Sequence, residues 1–279
     1  MIIVDCNSLC YKAFFSYGAL TTADEKTGIV YGFFRDIYNL KKKYNNLSPF
    51  LFTWDSKESK RREIYPLYKA NRTKTKSMLS EEDFAQFDLL RTQVLQELGF
   101  TNIYYRNGYE ADDLIALICH KFKNSRKVIV SSDQDLYQLL SSTTMMYKPK
   151  KDQEYTLKDF KRQYKITPVQ WAEVKAIAGC STDNVKGIRG VGEATAIKII
   201  KGTHSQKGMV KIKQQQSIID RNRELVKLPF EDFPIRIPIE DSFNWKAFKI
   251  YCYRFGFNSI ITELPKWKQL FLDGTVEYF

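Results

Sequence analysis

Short apolar runs that end on a carboxylate recur along this chain. Ile2-Ile3-Val4 stops at Asp5, and Phe50-Leu51-Phe52-Thr53-Trp54 stops at Asp55. Val128-Ile129-Val130-Ser131-Ser132 stops at Asp133, with Asp135 two residues on. Runs so short and so uniformly apolar predict parallel strands buried on both faces. The stretches between them carry helical spacing. Residues 27–44, with Tyr31, Phe34 and Tyr38, predict a crossover helix. Ser80 and Asp83 form a capping-box pattern, with Asp in place of the usual Glu or Gln. It opens a helix through Phe87, Leu90, Val94 and Leu98 that Gly99 stops. Residues 102–105 and 143–147 predict short strands. Residues 111–122 predict a helix with Leu114, Ile115, Ile118 and Phe122 on one face. From Thr156 the pattern turns helical, at 157–164, 168–178, 193–200, 214–227 and 245–255. The pattern predicts an α/β core over 1–150, with a central, mostly parallel sheet, and a helix-rich part over 151–279. No flexible linker marks the boundary.

In an open parallel sheet the carboxyl ends of the strands line the ligand crevice. That placement gathers Asp5, Asp55, Asp133 and Asp135, with Glu110, Asp112 and Asp113 at a helix start and Asp183 in a later loop. Packed carboxylates repel unless cations neutralise them, and hard oxygen donors suit Mg²⁺ or Mn²⁺. A two-metal site, with ions about 3.5–4 Å apart, activates water and stabilises the leaving oxygen of a phosphodiester. Three acids in four residues at a helix start also complement the helix dipole, and for that stretch alone this plainer explanation is favoured.

Charge sharpens the picture. The chain of 279 residues has a net charge of +12, so an acidic nest sits in a basic protein. An acidic polymer as partner and a basic surface kept for solubility explain the charge equally well. The five cysteines include no CxxC pair, and His120 and His204 lack metal-ligand spacing, which excludes a zinc site of the usual kind. The odd cysteine count and the lack of a secretory signal point to a reducing, cytoplasmic setting. No apolar run approaches the ~20 residues that span a bilayer.

Two further segments carry chemistry. Residues 57–78 hold Lys57, Lys60, Arg61, Arg62, Lys69, Arg72, Lys74 and Lys76, with Tyr65 and Tyr68 interleaved. Their weak apolar periodicity predicts a segment outside the core. Gly187, Gly190 and Gly192 precede an apolar-faced helix, as in a helix–hairpin–helix over about 172–201 that holds a DNA phosphate on backbone amides. An ordinary helical turn fits the same glycines. A dinucleotide-binding reading fails, because no strand leads into them.

Taken together, the chain resembles the 5′-nuclease family of flap endonucleases, phage 5′–3′ exonucleases and the 5′-nuclease domain of bacterial DNA polymerase I. The resemblance spans residues 1 to about 200. It rests on Ile3-Val4-Asp5-Cys6-Asn7-Ser8, then Asp55 with Tyr65-Pro66-Leu67-Tyr68-Lys69-Ala70-Asn71-Arg72. Glu110-Ala111-Asp112-Asp113, Ser132-Asp133-Gln134-Asp135 and Gly179-Cys180-Ser181-Thr182-Asp183-Asn184 through Gly192 complete it.

The resemblance implies metal-assisted hydrolysis near DNA 5′ ends, as 5′–3′ exonuclease and flap endonuclease, in replication or repair. It makes Asp5, Asp55, Glu110 and Asp112 ligands of one Mg²⁺ or Mn²⁺, and Asp112, Asp133, Asp135 and Asp183 ligands of a second. Asp113 is implied as an outer-shell group. Lys69 and Arg72 are implied to contact the scissile phosphate at the base of an arch within 57–98, with Tyr68 as a stacking surface near the terminal nucleotide. Gly187, Gly190 and Gly192 are implied to hold duplex DNA, with K⁺ at the hairpin carbonyls. The implied partners are DNA 5′ ends, flaps or nicks, and RNA primers, acted on by a monomer. No polymerase domain accompanies the chain, which implies a freestanding enzyme.

One position departs from the family pattern. Cys180 stands where bacterial and phage members often carry Asp, and a thiol is a poor ligand for Mg²⁺. This implies either a weaker second metal or a loop like that of eukaryotic flap endonucleases. A small buried residue is the plainer explanation. Two rival functions stay open: a noncatalytic DNA-structure-binding protein, and a PIN-like ribonuclease on a similar core.

Overall fold

A computed structural model describes residues 1–23, 25–72, 78–203 and 212–273, leaving aside the Asp273 side chain. Lys74, Lys76 and His204 lie outside the described residues. The main strands are β1 (Ile2–Asp5), β2 (Phe50–Thr53), β3 (Ile103–Tyr104), β4 (Lys127–Val130), β5 (Thr144–Lys148) and β6 (Gln153–Tyr155). They form one sheet in the order β3-β2-β1-β4-β5-β6. All neighbours are parallel except β5 and β6, which are antiparallel. The β6 strand was not foreseen, because Gln153 and Glu154 are exposed and carry no apolar signal.

The main helices are α1 (Cys6–Tyr17), α2 (Gly28–Lys43), α3 (Arg61–Ile64), α4 (Glu81–Leu89), α5 (Ala111–Lys121), α6 (Leu157–Tyr164), α7 (Gln170–Ala178), α8 (Glu193–Ile200), α9 (Gln216–Val226) and α10 (Trp245–Arg254). The capping box forms at Ser80 and Asp83. From α4 the chain continues through a π turn at Leu90–Val94 and ends at Gly99, whose φ of +85° requires glycine.

Strand alternation sorts the core in two. Ile2, Val4, Phe50, Phe52, Val128 and Val130 point to one face, among α1, α2, α4 and α10. Ile3, Leu51, Ile129 and Met146 point to the other, among α5 to α9. Each such buried side chain contributes about 1.5–3 kcal/mol. Both cores draw residues from either side of position 150: Phe248, Cys252 and Trp267 complete the first, and Trp171, Ile219 and Leu225 the second.

This architecture fixes the site. Val4 pairs with Phe52 and with Val130, so β1, β2 and β4 run level and end together. The residues that follow, Asp5, Asp55 and Asp133, therefore reach the same edge of the sheet. None of the helices among the described residues is long and apolar enough to cross a membrane.

Candidate metal and nucleic-acid site

At the carboxyl edge of β1, β2 and β4 lies a cleft of about 710 Å³. Asp5, Asp55, Asp112, Asp133 and Asp135 line it, with Lys69, Arg72, Lys175 and Cys180. Each acid is placed by local structure. Asp5 caps α1, its Oδ1 accepting from the Ser8 amide at 3.0 Å. Its Oδ2 accepts from Ser131 Oγ at 2.7 Å. Asp55 accepts from the Ala111 amide at 2.8 Å, which ties the end of β2 to the start of α5. Its own amide donates to Asn7 Oδ1 at 3.0 Å. Asp133 caps the 3-10 turn Gln134–Leu139 and accepts from the Asp135 amide at 2.8 Å.

At the start of α5 the three acids divide the work. Asp113 is fully buried, accepts from the Glu110 amide at 3.1 Å and holds Arg61 through two bonds of 2.7 Å. It also accepts from the Phe230 amide. Asp112, on the next position round the helix, lines the cleft. The dipole explanation therefore covers Asp113, while Asp112 is left for the cleft.

Electrostatics separate the acids further. Among the described residues, no lysine or arginine makes a salt bridge to Asp5, Asp55, Asp112 or Asp133. Burial, then Asp55 and Asp133, push the Asp5 carboxyl up to about 7. Burial, then Asp133 and Asp5, push Asp112 well above the usual carboxylate range. Asp55 is raised by burial and by Glu110, with partial relief from Lys69. Asp135 is raised to about 7 by burial and Asp133, although Lys175 Nζ lies 3.5 Å away.

Glu110 and Asp183 are different. Glu110 Oε2 accepts from Lys69 Nζ at 2.7 Å and from the Tyr68 hydroxyl at 3.0 Å. Burial alone would raise this carboxyl, but Lys69 and Arg61 bring it down to about 2. Asp183 accepts from Arg72 and, at 3.3 Å, from the Tyr68 hydroxyl. The Lys69 amide donates to the Asp183 carbonyl at 2.8 Å, with Lys69 held at φ +54°. A non-glycine residue in that region stores strain of the kind that clusters at functional sites.

The basic segment corrects two expectations. Arg61 is 2% exposed and donates to the Leu225 carbonyl as well as to Asp113. The segment is thus partly core, because Asp113 supplies the charge that lets an arginine be buried. Tyr68 is also 2% exposed, so its ring is not free as a stacking surface, and its hydroxyl serves the carboxylates instead. Lys69 and Arg72 stand between the acidic cleft and an adjoining one of about 580 Å³, lined by Trp54, Phe84, Phe87 and Arg91.

The hairpin glycines differ from one another. Helices α7 and α8 flank the turn, as expected. A Cβ on Gly187 would lie 2.1 Å from the Ala178 carbonyl carbon. Gly190 has φ +79°. Gly192 is extended, and nothing lies within 4 Å of a Cβ placed there. Only the first two are demanded by the fold.

Sequence reasoning missed four residues of the site. Ser131 bridges Asp5 and the Asp133 amide. Asn7 orients Asp55, a role its place two residues after Asp5 could have suggested. Tyr11, partly buried against Phe87, lines both clefts. Lys175 joins Asp135 to Glu193 at the start of α8, and no local signal marks it.

Known proteins share this arrangement of chain and fold. The family model described as the 5′-3′ exonuclease, N-terminal resolvase-like domain, matches residues 1–165. The thermostable DNA polymerase I of Thermus thermophilus is 32% identical over 244 residues, covering 86% of this chain and 28% of that one. The chain thus spans less than a third of that polymerase. A 5′-3′ exonuclease of Aquifex aeolicus is 30% identical over 253 residues, covering 86% of this chain and 85% of the other. Among solved structures, T5 5′-exonuclease with bound zinc has a TM-score of 0.69 at 23% identity, covering 82% of this chain and 89% of that one. Flap endonuclease-1 from Methanococcus jannaschii has a TM-score of 0.61 at 14% identity, covering 98% and 93%. These two likenesses are of fold.

Proposed function

The chain belongs to the 5′-3′ exonuclease family, and from that premise we propose that it is a structure-specific, divalent-metal-dependent 5′-nuclease. It hydrolyses phosphodiesters near DNA 5′ ends, as 5′–3′ exonuclease and flap endonuclease. The observation that carries this reading is the row Asp5, Asp55, Asp112 and Asp133. Four carboxylates in one cleft, with no protein cation bridged to them among the described residues, need an outside cation. Their oxygens are the hard donors that Mg²⁺ or Mn²⁺ takes.

Asp5, Asp55, Glu110 and Asp112 would hold one ion, and Asp112, Asp133, Asp135 and Asp183 the other. Bound there, the ions supply an activated water and a counter-charge for the leaving oxygen. The protein's own groups do the rest. Ser131, Asn7 and the Ala111 amide hold the carboxylates in place. Lys69 and Arg72, at the cleft wall, offer a point charge and a planar fork to a phosphate that enters. While no phosphate is there, Glu110 and Asp183 satisfy them. The amide end of α8 meets the backbone of downstream duplex, which favours structure over sequence.

The test uses matched DNA and RNA flaps with free or blocked 5′ ends, in Mg²⁺. The reading expects cleavage of DNA with free 5′ ends, and far slower cleavage once the end is blocked. Equal cleavage of blocked ends, or a strong preference for RNA flaps, would refute it.

A further inference from the structure

The acidic site offers two kinds of donor. Asp5, Asp55, Asp112 and Asp133 present only oxygen. Beside them, one donor atom from each of Asp135, Cys180 and Asp183 lies within 4.8 Å of the rest. Cys180 lines the cleft and is 6% exposed. Its Sγ lies 4.0 Å from Asp135 Oδ2 and 3.0 Å from Thr182 Oγ1. The thiol is thus at the edge of the second core, turned toward polar groups.

Its position is rigidly held. Cys180 pairs with Val185 in a two-stranded ribbon, and Gly179 before it has φ +81°. A Cβ on Gly179 would lie 2.3 Å from the Gly187 amide nitrogen, so the ribbon has no room to shift. Asn71 donates to the Ser181 carbonyl and Asn184 to the Leu67 carbonyl, each at 2.8 Å, which pins the loop to the base of the basic segment. A donor fixed this way lies in place before an ion arrives.

We propose that Cys180 is a metal ligand, and that with Asp135 and Asp183 it makes the second metal position a mixed sulfur–oxygen site that discriminates against Mg²⁺ in favour of Mn²⁺, Co²⁺ or Zn²⁺. The inference rests on the metal-dependent reading above and adds the selectivity of this position. Softer donors favour later and more polarisable ions, whereas Mg²⁺ favours oxygen alone. The sulfur–metal bond forms as the thiol proton leaves to solvent, so oxidation states do not change.

The test titrates the full chain with Co²⁺ and follows the near-ultraviolet sulfur-to-cobalt charge-transfer absorption. Calorimetry with Mn²⁺ and with Mg²⁺ runs beside it. The wild type gains the band, and Cys180→Ser, shown to be folded by its thermal melt, does not. Cys180→Asp binds Co²⁺ without the band, and its Mn²⁺-over-Mg²⁺ affinity ratio drops on the order of tenfold, about 1.4 kcal/mol. The other four cysteines stay in every variant, so a band that survives Cys180→Ser overturns the proposal. So does a wild type with no band, or an unchanged ratio in a folded Cys180→Asp. A wild-type band without cleavage of 5′ ends in any metal would sustain this inference and sink the functional reading. Cleavage in Mg²⁺ without the band would do the reverse.

Discussion

Two neighbouring groups of carboxylates, one lining the acidic cleft and one beside it, live under opposite electrostatics. Glu110 and Asp183 are matched by Lys69, Arg72 and Tyr68, and Glu110 is held ionised down to about pH 2. Asp5, Asp55 and Asp112 share burial and mutual repulsion, and their carboxyls are raised. The first group shows that this chain is able to neutralise acids when it brings cations to them. Among the described residues no lysine or arginine forms a salt bridge to the second group, and this points to a cation from solution. The matched group has a further use: it stores two cations at the wall of the cleft, where a phosphate would pass.

The largest expected effect follows from removing an acid of the unmatched group. Asp112→Asn lowers single-turnover cleavage by at least about 10³-fold while DNA binding in Ca²⁺ is retained. The same variant melts at a higher temperature than wild type without metal, because a repelled charge is gone. A less stable variant, or near-wild-type cleavage, would break the comparison. Next comes the buried pair beneath the matched group. Arg61→Leu leaves Asp113 uncompensated and costs about 3–5 kcal/mol by denaturant melts. Arg61→Leu with Asp113→Leu regains much of that loss. Equal damage from the single and the double change would show that the ion pair does not anchor α3 to α5.

Lys69→Met slows cleavage at saturating DNA by about 10²-fold, and affinity for duplex barely changes. A loss confined to affinity would make Lys69 a simple binding charge.

The pH dependence of stability separates the two groups directly. Burial and its acidic neighbours push the Asp5 carboxyl up to about 7 in the folded chain, against about 4 for an ordinary aspartate when unfolded. Across that window the folded state binds more protons, so metal-free stability falls as pH rises from about 5 to about 7 and levels off above. Glu110 behaves in the opposite sense. Its stabilisation is complete above its unfolded value and is lost only as pH falls toward 2, so it adds no slope in that range. Melts in EDTA should show the decline, and saturating Mn²⁺ should flatten it. A flat metal-free profile would mean that the unmatched acids are not held near one another.

The smallest effect concerns the hairpin. Gly190→Val strains a φ of +79° and destabilises the fold. Gly192→Val has open space and folds normally. Weakened duplex binding by folded Gly192→Val, read across a salt series, would place a phosphate at the start of α8. Unchanged binding would remove α8 from the interface.

The sheet and its acidic edge were legible in sequence because both are local. An apolar run of three to five residues that ends in Asp encodes a strand and a strand end at once. The compensation pattern was not legible, since it joins distant segments. Arg61 looks like one more charge in a basic run until the fold sets it on Asp113. Tyr68 looks like an exposed ring until its hydroxyl is found between Glu110 and Asp183. Lys175 and Ser131 carry no motif at all. The helices of 214–227 and 245–255 were visible by spacing, yet nothing in them told that one would accept Arg61 at Leu225 and the other would close the core over Phe34.

Metal-dependent 5′-end cleavage is tested most directly by single-turnover reaction of the wild-type chain with a 5′-end-labelled flap duplex, in Mg²⁺ and in EDTA, with products sized against a ladder. Short labelled products are expected in Mg²⁺, none in EDTA, and DNA binding retained in both. Cleavage that survives EDTA, or binding without any cleavage in Mg²⁺ or Mn²⁺, would contradict that expectation.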